Sequence, residues 1–239
     1  NKGTLTLRQV TISNNAGING EGLDVSNGGG IFNSGSLDAE NVTVSGNSAS
    51  VGGGLSVGVN SPGETLLDSV TITNNAGLGN GRDFTLAPAG GVYTGTTPVR
   101  IINSIVAGNR MDYGNPDCGG SFDSRGYNLI GDVGSCTGFT INDLRGNADS
   151  PIDPLLAPLA NYGGGTLTHA LLAGSPAIDG GPLPITGDCP DTDQRGFDRG
   201  IDGDGNGFVQ CDIGAFEAPA YDASYANLSL RLTAAPNPV

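Results

Sequence analysis

The residues best suited to carry chemistry form one short acidic loop, Asp202-Gly-Asp-Gly-Asn-Gly-Phe-Val. Oxygen-bearing side chains at alternate positions, with glycine at the sixth, match the first half of a calcium-binding loop. The glutamate that usually fills position 12 is missing, because that residue is Ile213. The loop therefore predicts a structural calcium ion, with a plain polar surface loop as the alternative. The predicted ligands are the side chains of Asp202, Asp204 and Asn206, the carbonyl of Phe208, and Asp212 or Asp198 in place of the glutamate.

A second group of charged residues lies close to this loop and admits two interpretations. Paired carboxylates with an arginine could act on a polysaccharide, as in β-helical lyases and hydrolases. The same residues could instead form a network of ion pairs that locks the C-terminal region onto the final repeat, and we favour this second interpretation. The group consists of Asp191, Asp193, Arg195, Asp198 and Arg199.

The rest of the chain offers little that favours an enzyme. Its strand-like segments present mainly Thr, Ser and Asn, with Asp38, Glu40 and Asp68 scattered among them. The sequence contains no nucleophile elbow, P-loop or nucleotide-binding glycine motif. We therefore expect no catalytic residues, and a polysaccharide lyase or hydrolase is the alternative.

The four cysteines predict disulfides rather than a metal centre. Four cysteines allow three pairings. Closure of two local loops favours Cys118–Cys136 and Cys189–Cys211, each worth roughly 3 kcal/mol in the chain-entropy model. Zinc is disfavoured, because no Cys-x-x-Cys pair is present and His169 is the only histidine. Disulfides are typical of secreted and surface proteins.

The composition of the chain limits the classes of partner that it can bind. The formal net charge is −14, and Lys2 is the only lysine. Such a chain repels nucleic acid and anionic membrane surfaces. The sequence has no apolar run long enough to span a membrane. It does not begin with Met, so we expect a processed product or a portion of a longer chain.

These groups need a scaffold, and an internal repeat supplies it. The clearest copy is Asn41-Val-Thr-Val-Ser-Gly-Asn, followed by Gly52-Gly-Gly-Leu. Related copies begin at Val10 and Val70, and a weaker one begins at Asn103. A period near 30 residues, built from strand patterns without helical ones, predicts a β-solenoid. The asparagines that close the copies, Asn15, Asn47, Asn75 and Asn109, recur at intervals of 32, 28 and 34 residues.

Stacking of the repeats, at roughly the 4.8 Å spacing of paired strands, gives each residue type a place. The asparagines should form a hydrogen-bonded ladder at a corner, where they also tolerate the left-handed conformation. The glycine runs allow positive φ or close approach of the backbone at another corner. Thr11, Thr43 and Thr71 should lie on the outer face. The residues predicted to point inward, each above its equivalent, are Val10, Ile12, Val42, Val44, Val70 and Ile72.

The chain divides into three parts on this interpretation. Residues 1–146 form the coils of a parallel β-helix, and residues 147–218 form a C-terminal cap that continues from it and is stapled by a disulfide. Residues 219–239 form a tail, in which Leu228, Leu230 and Leu232 alternate as in a strand. The first coil has no preceding cap, so its open end should be covered by missing coils or by another molecule.

Three motifs of the predicted cap resemble a known family. They are Ser175-Pro-Ala-Ile-Asp179, Asp193-Gln-Arg-Gly196 and Cys211-Asp-Ile-Gly-Ala-Phe-Glu217, in that order after the glycine-rich repeats. Over about residues 5–217 the chain resembles the choice-of-anchor Q domain, which is related in pattern to polymorphic outer-membrane protein repeats and the pectin-lyase-like superfamily. The resemblance implies a single-stranded, right-handed parallel β-helix of a bacterial surface. It supplies no catalytic residues, and this chain shows no anchor segment.

The sequence leaves three functions, which we rank. The first is a non-catalytic structural or adhesive surface protein, whose partner is itself, in a filament built by end stacking or strand addition, or a surface glycan or protein. The second is a polysaccharide lyase or hydrolase. The third is a carbohydrate-binding module, for which Tyr93, Tyr113 and Tyr127 are the candidate aromatic contacts.

Overall fold

The computed structural model describes residues 1–17, 26–78, 89–112 and 116–220. Tyr113 and the tail strand predicted at Leu228–Leu232 lie outside these ranges. Within them the chain forms short strands and one turn of 3-10 helix, Pro184–Thr186. The strands are β1 (Thr4–Ser13), β2 (Ile31–Asn33), β3 (Ser36–Ser45), β4 (Ser48–Ala49), β5 (Leu55–Val57), β6 (Thr65–Asp68), β7 (Thr71–Thr73), β8 (Ala76–Gly77), β9 (Val92–Tyr93), β10 (Val99–Ile102), β11 (Ile105–Val106), β12 (Arg110–Met111), β13 (Cys118–Gly119), β14 (Phe122–Ser124), β15 (Leu129–Ile130) and β16 (Leu144–Arg145).

The strands form three parallel sheets, and each sheet takes strands from successive repeats. The largest has nine strands, in the order β14-β10-β6-β3-β7-β11-β15-β16, with β1 also paired to β3. It curls because β3 bends at Asn41, whose φ is 54°, and pairs with β6 before the bend and with β7 after it. The smaller sheets are β12-β8-β4 and β13-β9-β5-β2. The predicted all-β class with parallel strands is confirmed.

Equivalent residues of successive repeats lie side by side, as the repeat predicts. Ile12 pairs with Val44, which pairs with Ile72. The same file continues through Val106 to Ile130. Apart from the half-buried Ile12, these side chains are at most 1% exposed. The file forms part of one core that runs through the stacked repeats.

The predicted asparagine ladder is confirmed and has a direction. In each step the backbone N–H and the side-chain Nδ2 of one asparagine donate to Oδ1 of the next, at 2.9–3.0 Å. The steps run from Asn15 through Asn47 and Asn75 to Asn109. Asn109 donates the same pair of bonds to Oδ1 of Asp117, each 2.9 Å long. This ladder therefore ends at a carboxylate, a group that only accepts hydrogen bonds when it is ionised.

The corners use the residue types expected, but at shifted positions. The left-handed residue is the one before each ladder asparagine, such as Asn74 with φ 57°, so the prediction that ladder residues adopt this conformation is wrong. The ladder asparagines are thereby free to direct their side chains along the stack. In the glycine run, Gly52 has φ 60°, and a Cβ on Gly53 would lie 2.3 Å from the carbonyl oxygen of Ala76. That run shows both of the roles predicted for it.

The region predicted as the C-terminal cap contacts the outer side of the large sheet. Its Ala177 and Ile213 form a second core with Ile105 and Leu129. These two sheet residues continue the outward file of Thr11, Thr43 and Thr71. The file therefore changes from threonine to apolar residues, and the C-terminal region covers it by hydrogen bonds at one end and by apolar packing at the other.

Both predicted disulfides are confirmed. Cys118 bonds to Cys136 and Cys189 bonds to Cys211, so all four cysteines are paired. Two disulfides are compatible with an oxidising, extracellular compartment. A separate observation concerns membranes: in the described ranges, no helix has the length and apolar character needed to cross one.

Candidate functional site

The predicted calcium loop brings two of its expected ligands together and adds one from elsewhere. One carboxylate oxygen from each of Asp202, Asp204 and Asp179 lies within 4.8 Å of the others. Asp179 ends the Ser175-Pro-Ala-Ile-Asp segment, well before the loop in sequence. Asn206 is exposed and its Nδ2 donates to Asp204, while Phe208 is 72% exposed. Calcium at this loop remains a prediction.

Asp212, the predicted replacement for the missing glutamate, accepts hydrogen bonds from the backbone instead. Its Oδ1 accepts from the N–H of Asp179 at 2.7 Å, and its Oδ2 accepts from the N–H of Ala218 at 2.5 Å. The residue is fully buried. It does not belong to the three-aspartate group found among the described residues, so the structure does not support Asp212 as a ligand. Burial and the charge of Glu217 raise the pKa of Asp212 above its usual range.

Arg199 is the centre of the buried charge network. Its Nη1 lies 3.3 Å from Oε2 of Glu217, and both side chains are 1% exposed. Its Nη2 donates to Oδ1 of Asn41 at 2.8 Å and to the carbonyl of Gly214 at 2.6 Å. Asn41 belongs to the second repeat. The prediction that the network locks onto the final repeat is therefore incomplete. It joins the C-terminal motifs to the bend of β3.

The other predicted charges divide into a buried pair and two exposed residues. Asp193 is fully buried, and its Oδ2 lies 2.6 Å from Nη2 of Arg195. The guanidinium of Arg195 also stacks 3.5 Å from the ring centroid of Phe216. Asp191 and Asp198 are exposed. The ion-paired interpretation therefore holds for Asp193, Arg195 and Arg199.

The outer face of the coils carries a row of charges that the sequence did not reveal. Arg8 lies beside Glu40, and Glu40 lies beside Asp68, in register across three strands. Arg8 also forms an ion pair with Asp38 at 2.6 Å. Burial raises the pKa of Asp68 to about 6. The acidic residues predicted as scattered are thus neighbours, because stacking converts an interval of one repeat into contact.

Strand β1 has a free edge among the described residues. It pairs with β3 along nine registered positions, and the described chain offers no strand on its other side. On β3, the N–H of Ser36 points back to Gly3 and that of Leu37 points forward to Glu64. Since Thr4 and Thr6 pair with Ser36 and Asp38, their N–H groups should point to the free edge.

The apolar side of β1 is also incompletely covered. Leu5, Leu7, Val10 and Ile12 pack against the main core but are only half-buried. Their equivalents on β3 are fully buried; Leu37 is 2% exposed and Val42 is 0% exposed. An edge with unpaired N–H and C=O groups beside exposed apolar surface is a template for pairing with another strand.

Of the three aromatic residues expected to bind carbohydrate, the structure describes Tyr93 and Tyr127. Tyr93 is only 8% exposed and Tyr127 is half-buried, so neither offers an open ring face. A different set, which the sequence did not indicate, lines a cavity of about 620 Å³ beside Arg195. Its aromatic walls are Tyr162, Phe197 and Phe216.

Two uncharged residues that position the C-terminal region were also missed as contacts. Gln194 is 1% exposed; its Oε1 accepts from Thr43 at 2.6 Å and its Nε2 donates to Thr11 at 3.0 Å. His169 is buried, with Nε2 at 2.9 Å from Oγ of Ser45 and Nδ1 at 2.7 Å from the carbonyl of Ala157. Burial lowers the pKa of His169. The sequence feature that could have indicated a contact here was the row of threonines predicted on the outer face.

The described residues define an all-β protein built on a curled sheet of parallel strands and held by two disulfides. No protein-family model, no curated protein and no solved structure matches this chain.

Proposed function

We propose that this chain is an extracellular, non-catalytic β-helix protein that associates with a second copy of itself through the free edge of β1. The observation that carries the proposal is that edge, with its outward N–H groups and half-buried apolar side chains. The disulfides support an extracellular location. A rod that grows by adding strands serves as a structural or adhesive surface element.

The finer fold we propose is a single-stranded, right-handed parallel β-helix. Support comes from the three parallel sheets: each smaller sheet takes one strand from successive repeats, and the large sheet takes two, one on either side of the bend. The asparagine ladder adds the axial hydrogen bonds expected of stacked coils. The right hand follows the strong preference of parallel connections. This architecture also fits the resemblance to the choice-of-anchor Q domain.

The occupant we propose for the edge is the tail segment Leu228-Ser-Leu-Arg-Leu of a second copy. Its alternation matches Leu5-Thr-Leu-Arg8 of β1, so paired copies would place leucine beside leucine on the core side. Arg231 would then lie beside Arg8, whose charge is balanced by Asp38 and Glu40. Main-chain hydrogen bonds would supply affinity, and the leucines would supply register.

A proline on the free edge tests this pairing. Thr6→Pro removes an N–H that points away from β3, and proline is tolerated on the open side of an edge strand. We expect wild type to associate increasingly with concentration in light scattering, and Thr6→Pro to remain monomeric. Leu230→Lys, which alters the tail alone, should also remain monomeric.

Thr6→Ala is the matched control, because it shortens the same side chain and keeps the N–H. It should associate like wild type, and all variants should show the same thermal unfolding midpoint when dilute. A wild-type chain that stays monomeric at every concentration would contradict the proposal. So would association that neither Thr6→Pro nor Leu230→Lys weakens.

Polysaccharide cleavage is a second candidate, favoured by the outer-face charge row. Glu40 neighbours Asp68, whose raised pKa of about 6 suits a general acid near neutral pH. Arg8 lies beside them and could contact an acidic sugar.

This second function predicts product release from a panel of acidic and neutral glycans. Glu40→Gln should abolish release, since it removes a charge in the row and keeps the shape of the side chain. Glu64→Gln is the matched control, because the Glu64 side chain is 85% exposed, and it should retain activity. Release from no glycan in the panel, or equal release from Glu40→Gln, dismisses this candidate.

A further inference from the structure

The cavity beside Arg195 has the size and the apolar lining of a ligand site. Its volume is about 620 Å³, within the range of about 300–1,000 Å³ that is usual for ligand pockets. The apolar side chains around it include Tyr162, Phe197, Phe216, Leu171 and Ile201. Phe197 is 50% exposed, so part of its ring is open to a ligand.

The side chains that could donate hydrogen bonds into the cavity already donate within the protein. Nε of Arg195 donates to Oδ2 of Asp193 at 2.8 Å, and its Nη1 donates to the carbonyl of Tyr162 at 3.2 Å. Its Nη2 donates to the carbonyl of Glu217. The hydroxyl of Tyr162 donates to the carbonyl of Pro158 at 2.9 Å. An anionic ligand would have to displace these contacts, and a sugar would find few donors for its hydroxyl oxygens.

Two carboxylates line the cavity, and one of them is available to a ligand. Glu217 is buried, and its Oε2 lies 3.3 Å from Nη1 of Arg199. Asp198 is exposed, and in the described part of the chain its carboxylate has no ion pair or hydrogen bond. The net charge of −14 also attracts cations toward the protein. A positive ligand with an apolar stem therefore matches the cavity.

The rings of the cavity already accommodate a guanidinium. Cζ of Arg195 lies 3.5 Å from the ring centroid of Phe216 and 4.7 Å from that of Phe197. Arginine stacks flat on aromatic rings and can bind a carboxylate through two parallel hydrogen bonds. Its long stem packs on apolar surface while the charged end stays in water. A lysine ammonium lacks the planar shape, so arginine fits these walls better.

We propose that the cavity binds an arginine side chain of a partner protein. The stem would pack along the apolar lining, and the guanidinium would stack on the open part of Phe197 and pair with Asp198. Because these two residues are adjacent in sequence and both line the cavity, one guanidinium can contact both. The binding of a separate partner goes beyond the proposed association through β1 and does not depend on it.

Titration of the isotope-labelled full chain with Nα-acetylarginine amide, followed by nuclear magnetic resonance, tests the site. We expect saturable shifts of the Phe197 and Asp198 amide signals, with a Kd on the order of 10⁻³ M for a ligand of this size. Nα-acetylcitrulline amide keeps the planar shape without the charge, so it should bind more weakly by about threefold or more. Nα-acetyllysine amide should also bind more weakly than the arginine probe.

Asp198→Asn removes the charge at an exposed position, and we expect it to weaken binding of the arginine probe by about threefold or more. Phe197→Leu keeps an apolar side chain but removes the ring, and it should weaken binding by about twofold or more. Asp191→Asn is the matched control, because Asp191 is an exposed aspartate that does not line the cavity. It should bind the probe like wild type.

No saturable binding by wild type would overturn the site. Equal binding by Asp198→Asn, or equal binding of the citrulline probe, would overturn the role of charge, and equal binding by Phe197→Leu would overturn the stacking. A lysine probe that binds as tightly as the arginine probe would overturn the choice of arginine. Thr6→Pro, altered at the β1 edge alone, should bind like wild type, and weaker binding would overturn the independence of the two sites.

Discussion

Asn75→Ala is expected to lower the free energy of unfolding by about 3–5 kcal/mol, because it leaves several buried polar groups without partners. Asn75 is fully buried. Its Nδ2 donates to Oδ1 of Asn109 and to the carbonyls of Val44 and Thr73, at 2.9–3.0 Å. Its Oδ1 accepts both bonds from Asn47. Denaturant unfolding followed by circular dichroism measures the loss.

The ladder supplies its own control at its exposed end. Asn15 occupies the same place in the first repeat but is exposed, so water can replace its bonds after substitution. Asn15→Ala should therefore cost about 1 kcal/mol or less. Equal losses for the two variants would show that burial of the ladder does not contribute to stability as described.

Arg199→Met is expected to lower the free energy of unfolding by about 3–5 kcal/mol, since it leaves a buried carboxylate without its charged partner. Glu217 would lose its ion pair, and Asn41 and Gly214 would lose the donors that join the C-terminal region to β3. Arg8→Met is the control, because its ion pair with Asp38 is exposed and such pairs contribute about 0–1 kcal/mol. Comparable losses for the two variants would contradict this account of the network.

The loss in Arg199→Met should also depend on pH. Burial raises the pKa of Glu217 in the wild-type fold, and removal of the arginine should raise it further. A carboxyl group with a raised folded pKa stabilises the fold below its unfolded pKa, and that stability falls as pH rises through the folded pKa. Unfolding measured in mildly acidic buffer should therefore show a smaller loss than unfolding in mildly alkaline buffer.

The repeats could be predicted from sequence because stacking places like residues together. The inward file of Ile12, Val44 and Ile72 and the asparagine ladder both follow from the interval between copies. Asp117 could not be predicted as the acceptor beyond Asn109, because it follows that residue by only eight positions and breaks the interval. Asp117 also differs from the other acceptors of the ladder in being a carboxyl group, and burial raises its pKa to about 6.

The contacts of the C-terminal region were harder to predict from sequence, because they do not recur at a regular sequence interval. Gln194 reaches Thr11 and Thr43, and Asp179 reaches Asp202, through folding of irregular segments. Local spacing predicted that Asp202 and Asp204 would lie together, and their carboxylates do lie together. Asp212, which the same spacing added, instead accepts hydrogen bonds from Asp179 and Ala218. Distant residues that meet in a non-repeating segment leave no pattern in a single sequence.

The central claim, that β1 presents an edge for a second copy, is tested most directly by amide hydrogen exchange at low and high protein concentration. We predict that Thr4 and Thr6 exchange quickly in dilute solution and slowly at high concentration, while Val42–Ser45 stays protected in both. Slow exchange of Thr4 and Thr6 in dilute solution, or fast exchange at every concentration, would contradict the claim.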